Sequence, residues 1–168
     1  APPLRLSYRG VGEFPHFIAG LMNAGWGYIL ITGTIDIHLL IFAIPFSLHL
    51  LNVILIFEIP DREADIHGGK RNLIVKYGRK KSFLLISIIF WLATIYFSIL
   101  AIFGWNKSYI NFWILTLFSF IPSVVSTLFY LRKSLSEKDK ATKLAIRTAM
   151  SLFAFSIISL LYFIYLQL

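Results

Sequence analysis

The sequence predicts an all-α integral membrane protein, and three observations predict it. Of the 168 residues, 58% are hydrophobic and 17% aromatic, with a mean hydropathy of +0.77. A soluble domain carries roughly 45–50% apolar residues, and one small core cannot bury the surplus, so lipid is part of the solvent. The apolar residues gather in five runs, each close to the roughly 20 residues that cross about 30 Å of hydrocarbon, without the alternation of a barrel strand. The sixteen Lys and Arg residues lie in the connections, so the net charge of +8 reads as a topology signal and not as a nucleic-acid footprint.

Taken in order, the spans are expected at 14–33, 37–59, 82–104, 109–131 and 144–166. The first holds Gly20, Gly25 and Gly27, which allow close helix approach, and His16 and Asn23, whose spacing suits packing contacts better than acceptor binding. A tight outer turn, "GTID" at 33–36, follows, with Asp36 as a turn residue. The second span contains Pro45, which removes a helix hydrogen bond, together with His38 and His49. Histidines in a span most often bond a neighbouring helix; His49, about three turns from Asp61, is also placed to line a cavity. The third and fourth spans are joined by the outer turn "GWNKS" at 104–108, and Pro122 lies within the fourth. The stretch "KSLSEKDKATK" at 133–143 reads as a solvated loop, with a secondary role in holding diphosphate or lipid headgroups as the alternative. His67 reads as solvated.

The cations test this count. Arg5 and Arg9 precede the first span, seven cations lie between the second and third, and six surround the entry to the fifth; only Lys107 falls on the other side. Fifteen of sixteen therefore share one side, which the positive-inside rule makes cytoplasmic, in the plasma membrane if the source is bacterial or archaeal. The absence of cysteine excludes disulfides, thiolate metal sites and a cysteine nucleophile. The chain opens "APPLRL" with no methionine, and the expectation is one domain over 1–168 that forms a piece of a longer protein.

The chemistry concentrates in "EIPDREADIHGGKRNLIVKYGRKK", residues 58–81. Asp61 and Asp65 are four apart and share a helical face. Two carboxylates without histidine or thiol partners suit a hard cation, and magnesium takes one or two carboxylates, completing its octahedron with water and phosphate oxygens. Glu58, three residues before Asp61, can join that face; Glu63 is turned away. The Gly68-Gly69 turn can fold Lys70 and Arg71 back toward the carboxylates, where they would bind a diphosphate. An ordinary mixed-charge connection is the competing reading of the same residues.

The longer string "DREADIHGGKRNLIVKYG" resembles the second aspartate-rich motif of the UbiA superfamily of intramembrane prenyltransferases, with Asp61, Asp65, Gly69, Lys70, Asn72, Leu73 and Gly78 in register. The opening "PPLRLSYRGVGE" is similar to the family segment between its fourth and fifth helices, where Arg9 or Arg5 would meet the diphosphate. Together they resemble most the naphthoate polyprenyltransferases of menaquinone synthesis. The resemblance implies the second half of a nine-helix bundle and magnesium-dependent transfer of a polyprenyl group from its diphosphate to an aromatic acceptor. It implies Mg2+ at Asp61 and Asp65, with Glu58 as a possible addition, and diphosphate at Lys70, Arg71, Arg9 and Arg5. A second acidic motif, absent here, is expected from the upstream half, so this chain alone is expected to be inactive. No catalytic acid or base is assigned. Relatives acting on haem, chlorophyllide or glycerol-phosphate lipid acceptors share the pattern, and a non-enzymatic carrier or assembly subunit would share the topology. A CDP-alcohol phosphotransferase is disfavoured because its D-G-x-x-A-R element is missing.

Overall fold

The computed structural model describes residues 8, 10, 12–104, 110–132, 135 and 137–168. Among them the regular structure is helical: α1 (Phe14–Thr32), α2 (Ile37–His67), α3 (Leu73–Ile102), α4 (Phe112–Tyr130) and α5 (Lys138–Tyr165). Four of these, α2 to α5, are long and apolar enough to cross a membrane. Helix α1 coincides with the first expected span but is not among the four, because His16, Asn23, Pro15 and three glycines dilute its 19 residues. Asp36, Asn72 and Asn111 begin α2, α3 and α4 with side-chain oxygens that accept the N–H of His38, Val75 and Trp113, satisfying donors that a helix start leaves free.

Three helices exceed their expected spans. At about 1.5 Å per residue, the 31 residues of α2 reach roughly 46 Å, well past the hydrocarbon thickness. Helix α3 begins nine residues before the span expected from residue 82, and α5 begins at Lys138, inside the stretch expected to be a solvated loop. Hydropathy sees only the apolar part of a helix, whereas lysine and alanine continue it readily into water. The overhangs meet at one end of the bundle, where Glu63 of α2 pairs with Arg79 of α3 and lies 3.9 Å from Lys138 Nζ of α5.

Helices α2, α3, α4 and α5 close into a ring in which each packs on two others, and α1 rests against α2. Leu55, Ile59, Phe83, Phe90, Phe97, Leu115 and Phe155 fill the ring and are buried. His49 sits among them, its ring centroid 4.4 Å from that of Phe155 and its Nε2 3.3 Å from Ser119 Oγ, so it makes the interhelical bond expected of it. A polar seam joins α3 to α4: Thr94 Oγ1 lies 2.7 Å from Ser119 Oγ and 2.8 Å from Ser123 Oγ, and Trp91 Nε1 donates to Thr127 Oγ1 at 2.9 Å. Such bonds average only about 0.6 kcal/mol in a membrane, so the seam fixes register more than it adds stability.

Of the three glycines expected at close approaches, one serves that purpose clearly. A Cβ on Gly20 would stand 2.8 Å from Ser47 Oγ and 2.9 Å from Ser47 Cα, so α1 touches the backbone of α2 there. Gly25 meets only Leu40 at 3.9 Å, and Gly27 faces nothing within 4 Å, correcting the expectation for that position. The helical pattern alone does not tell a packed face from an open one.

Candidate functional site

The site is built from the overhang of α2. The helix continues through Pro60, and Glu58, Asp61 and Asp65 fall at i, i+3 and i+7, on one face beyond the roughly 20 residues needed to cross the membrane. The helix ends in a reversal that only glycine adopts comfortably. Gly69 has φ 71°, its N–H donates to Ile66 O at 3.0 Å, and the Lys70 N–H donates to Asp65 O at 2.9 Å. This reversal sends the Lys70 side chain back along α2, as the sequence suggested, and Lys70 Nζ reaches Asp65 Oδ1 at 2.6 Å. The carboxylate beside it holds the Lys70 ammonium above the usual lysine range.

Asn72 completes the clasp. Its Nδ2 donates to Asp65 Oδ2 at 2.7 Å while its Oδ1 accepts the Val75 N–H at 2.8 Å. One buried side chain thus caps α3 and orients Asp65. Glu13 supplies a second cap from the segment before α1: its Oε1 accepts the Leu73 N–H across 60 positions of sequence, and the residue is 4% exposed. Sequence reasoning passed over Glu13. The available signal was that it is the first acid in an otherwise basic and apolar opening.

Helix α3 is bent at Gly78, whose φ of 73° and ψ of 165° leave the helical region. The bend separates the first turn from the long span below. One contact fastens that turn to α2, Arg62 Nε donating to Ile74 O at 3.3 Å, and Arg79, one residue past the bend, fastens the span to α2 by pairing with Glu63. Glu63 is therefore turned away from the Asp61–Asp65 face, as expected.

The carboxylates differ in their surroundings. Asp65 is 5% exposed and both its oxygens are engaged. Asp61 is exposed, and among the described residues no hydrogen bond or ion pair engages its carboxylate. Glu58 is half-buried, with Glu13, Asp65 and Lys70 as its charged neighbours, and its Oε2 is buried without a partner. No cluster of three or more metal-ligating side chains occurs among the described residues. The donor set still fits magnesium, which needs only one or two carboxylates: Asp61 is open, and each Asp65 oxygen retains a lone pair beside its hydrogen bond. Arg71 is exposed at the same turn, and its carbonyl lies 3.2 Å from where a Cβ on Gly10 would stand, so the segment before α1 abuts this turn. Arg5 and Arg9 lie outside the described residues.

The arrangement combines open and buried acids with a partly exposed lysine and an exposed arginine, at one end of an apolar bundle. Its cations can engage an anionic group, and its open carboxylate a hard cation. Residues 2–157 match the family model of the UbiA prenyltransferase family. No curated protein and no solved structure matches the chain. The match spans nearly the whole sequence, and the chain belongs to the UbiA prenyltransferase family.

Proposed function

We propose, with membership of that prenyltransferase family as the premise, that the chain serves the transfer of a polyprenyl group from its diphosphate to an aromatic quinone precursor such as a naphthoate. The observation that carries this reading is the clasp of Lys70 and Asn72 on Asp65, which gathers the DxxxD face and the basic turn at one end of the bundle. Asp61 and Asp65 hold magnesium, with Glu58 beside them. When bound, the ion supplies positive charge to the departing diphosphate. Lys70, with part of its ammonium free, and Arg71 contact the diphosphate oxygens, joined by Arg9 and Arg5. The carbon–oxygen bond of the allylic diphosphate breaks with its electron pair leaving on diphosphate. A ring carbon of the acceptor bonds to the allylic carbon and then loses its proton. An apolar cleft of about 210 Å³ between α1 and α2, lined by Leu21, Met22, Trp26, Ile29 and Leu40, offers the tail an apolar wall.

In this reading α1 also spans the membrane, making five spans that form the second half of a nine-helix bundle, with the acidic end cytoplasmic. The chain has no cysteine, so single substitutions report sidedness directly. His67→Cys and Glu137→Cys, both at exposed positions, are expected to label from the cytoplasmic side, and Thr34→Cys from the outside. Labelling of His67→Cys and Thr34→Cys from the same side would remove α2 as a span.

The function itself is tested with the purified 168-residue chain, magnesium, a polyprenyl diphosphate and a naphthoate acceptor. No turnover above background is expected, because a diphosphate's negative charge needs more neutralisation than the magnesium that one acidic motif would hold provides. Co-expression with the upstream half is expected to restore it. Turnover by the chain alone would refute the two-motif reading, and none from the folded co-expressed halves with any aromatic acceptor would refute the choice of reaction.

A further inference from the structure

A second charged feature lies away from the acidic cluster, where α4 turns into α5. Arg132, Lys140, Lys143 and Arg147 line a cavity of about 320 Å³ together with Leu144. Lys140, Lys143, Leu144 and Arg147 stand at i, i+3, i+4 and i+7, on one face of α5, and Arg132 closes the cavity from just past the end of α4. The only salt bridge to these four cations among the described residues joins Lys140 to Glu137 at 2.9 Å, on the surface. Arg132 stacks over Phe129 at 5.7 Å, which fixes its guanidinium without neutralising it.

Helix stability does not account for this concentration. Cations in the opening turns of a helix oppose its dipole, so these positions cost α5 stability while making the cavity more attractive to an anion. The surroundings then narrow the kind of anion. Within a turn of Arg147 on α5 the exposed side chains become apolar, at Ile146 and Met150. A cationic cavity opening onto an exposed apolar strip matches a molecule with a phosphate at one end and hydrocarbon at the other.

We propose that this cavity binds the phosphate headgroup of an anionic membrane phospholipid, with its acyl chains along Ile146 and Met150. The site is separate from the acidic cluster, and its test reads lipid binding, so it stands or falls independently of the transfer reaction. Native mass spectrometry of the 168-residue chain in detergent, titrated with phosphatidylglycerol and with phosphatidylcholine, measures the preference. The wild-type chain is expected to retain phosphatidylglycerol selectively. K143Q/R147Q is expected to weaken that binding roughly thirtyfold, at about 1 kcal/mol for each cation removed near an anionic headgroup. R132Q alone, which leaves α5 untouched, is expected to weaken it about fivefold. K76Q/K81Q, at exposed cations elsewhere, is expected to leave it unchanged. Equal retention of the two lipids overturns the proposal, as does an equal loss in K76Q/K81Q, which would mean general surface charge. Displacement of the lipid by inorganic phosphate at comparable concentration would also overturn it, by reassigning the cavity to a free anion.

Discussion

Asp61→Asn is expected to lower kcat/KM of the proposed transfer by roughly a hundredfold or more while leaving thermal stability within about 0.5 kcal/mol of wild type. Its carboxylate is exposed and has no partner among the described residues, so the carboxamide breaks nothing in the fold. In the proposed reading, what it removes is a charge that would face magnesium. Asp65→Asn is expected to lose turnover to a similar extent but also to destabilise the protein. Its carboxylate accepts from both Lys70 and Asn72, and an amide NH2 in its place must face one of those donors. An unmade bond at a buried polar group costs about 1–3 kcal/mol. The NH2 is expected to turn toward Lys70, which can swing to water, so Asn72 keeps its acceptor and the cost lies at the low end of that range. Turnover and thermal unfolding of the two variants in the same detergent separate the roles. Near wild-type turnover of Asp61→Asn under limiting magnesium would remove Asp61 as a ligand, and an Asp65→Asn protein that is less stable yet equally active would make Asp65 purely structural.

Gly20→Leu is expected to destabilise the bundle by about 1–3 kcal/mol or to displace α1 from α2. The added side chain would have to pass through Ser47, whose Cα lies 2.9 Å from the new Cβ position. Backbone offers no rotamer to yield. Gly27→Leu, seven residues along the same helix, meets nothing within 4 Å and is expected to shift stability by less than about 0.5 kcal/mol. Unfolding of both variants in one detergent gives the comparison, and equal effects would show that α1 is not seated at Ser47.

The helices and the acidic face were legible because both rest on local periodicity. Apolar runs marked where the helices lie, and the four-residue spacing put Asp61 and Asp65 together. The glycine pair marked the reversal that returns Lys70 to Asp65. The overhangs were not legible, since the polar turns of α2 and α5 look like loops to any hydropathy argument. Nor was Glu13, whose partner is a backbone N–H 60 positions away. Asn72 stood in register with the motif, but its double task appears only once α2 and α3 are side by side. Whether a helical glycine touches a neighbour is likewise a property of the pair of helices, which separates Gly20 from Gly27.

The bend at Gly78 divides α3 into two levers on one joint. The lower lever is the apolar span, and Arg79 ties it to Glu63 of α2 just below the joint. The upper lever carries Asn72 and is held to α2 through Ile74 and to Glu13, before α1, through Leu73. The break in the helix falls between the turn that holds Asp65 and the span, so the Asn72–Asp65 contact belongs to the turn and not to the span's hydrogen-bond ladder.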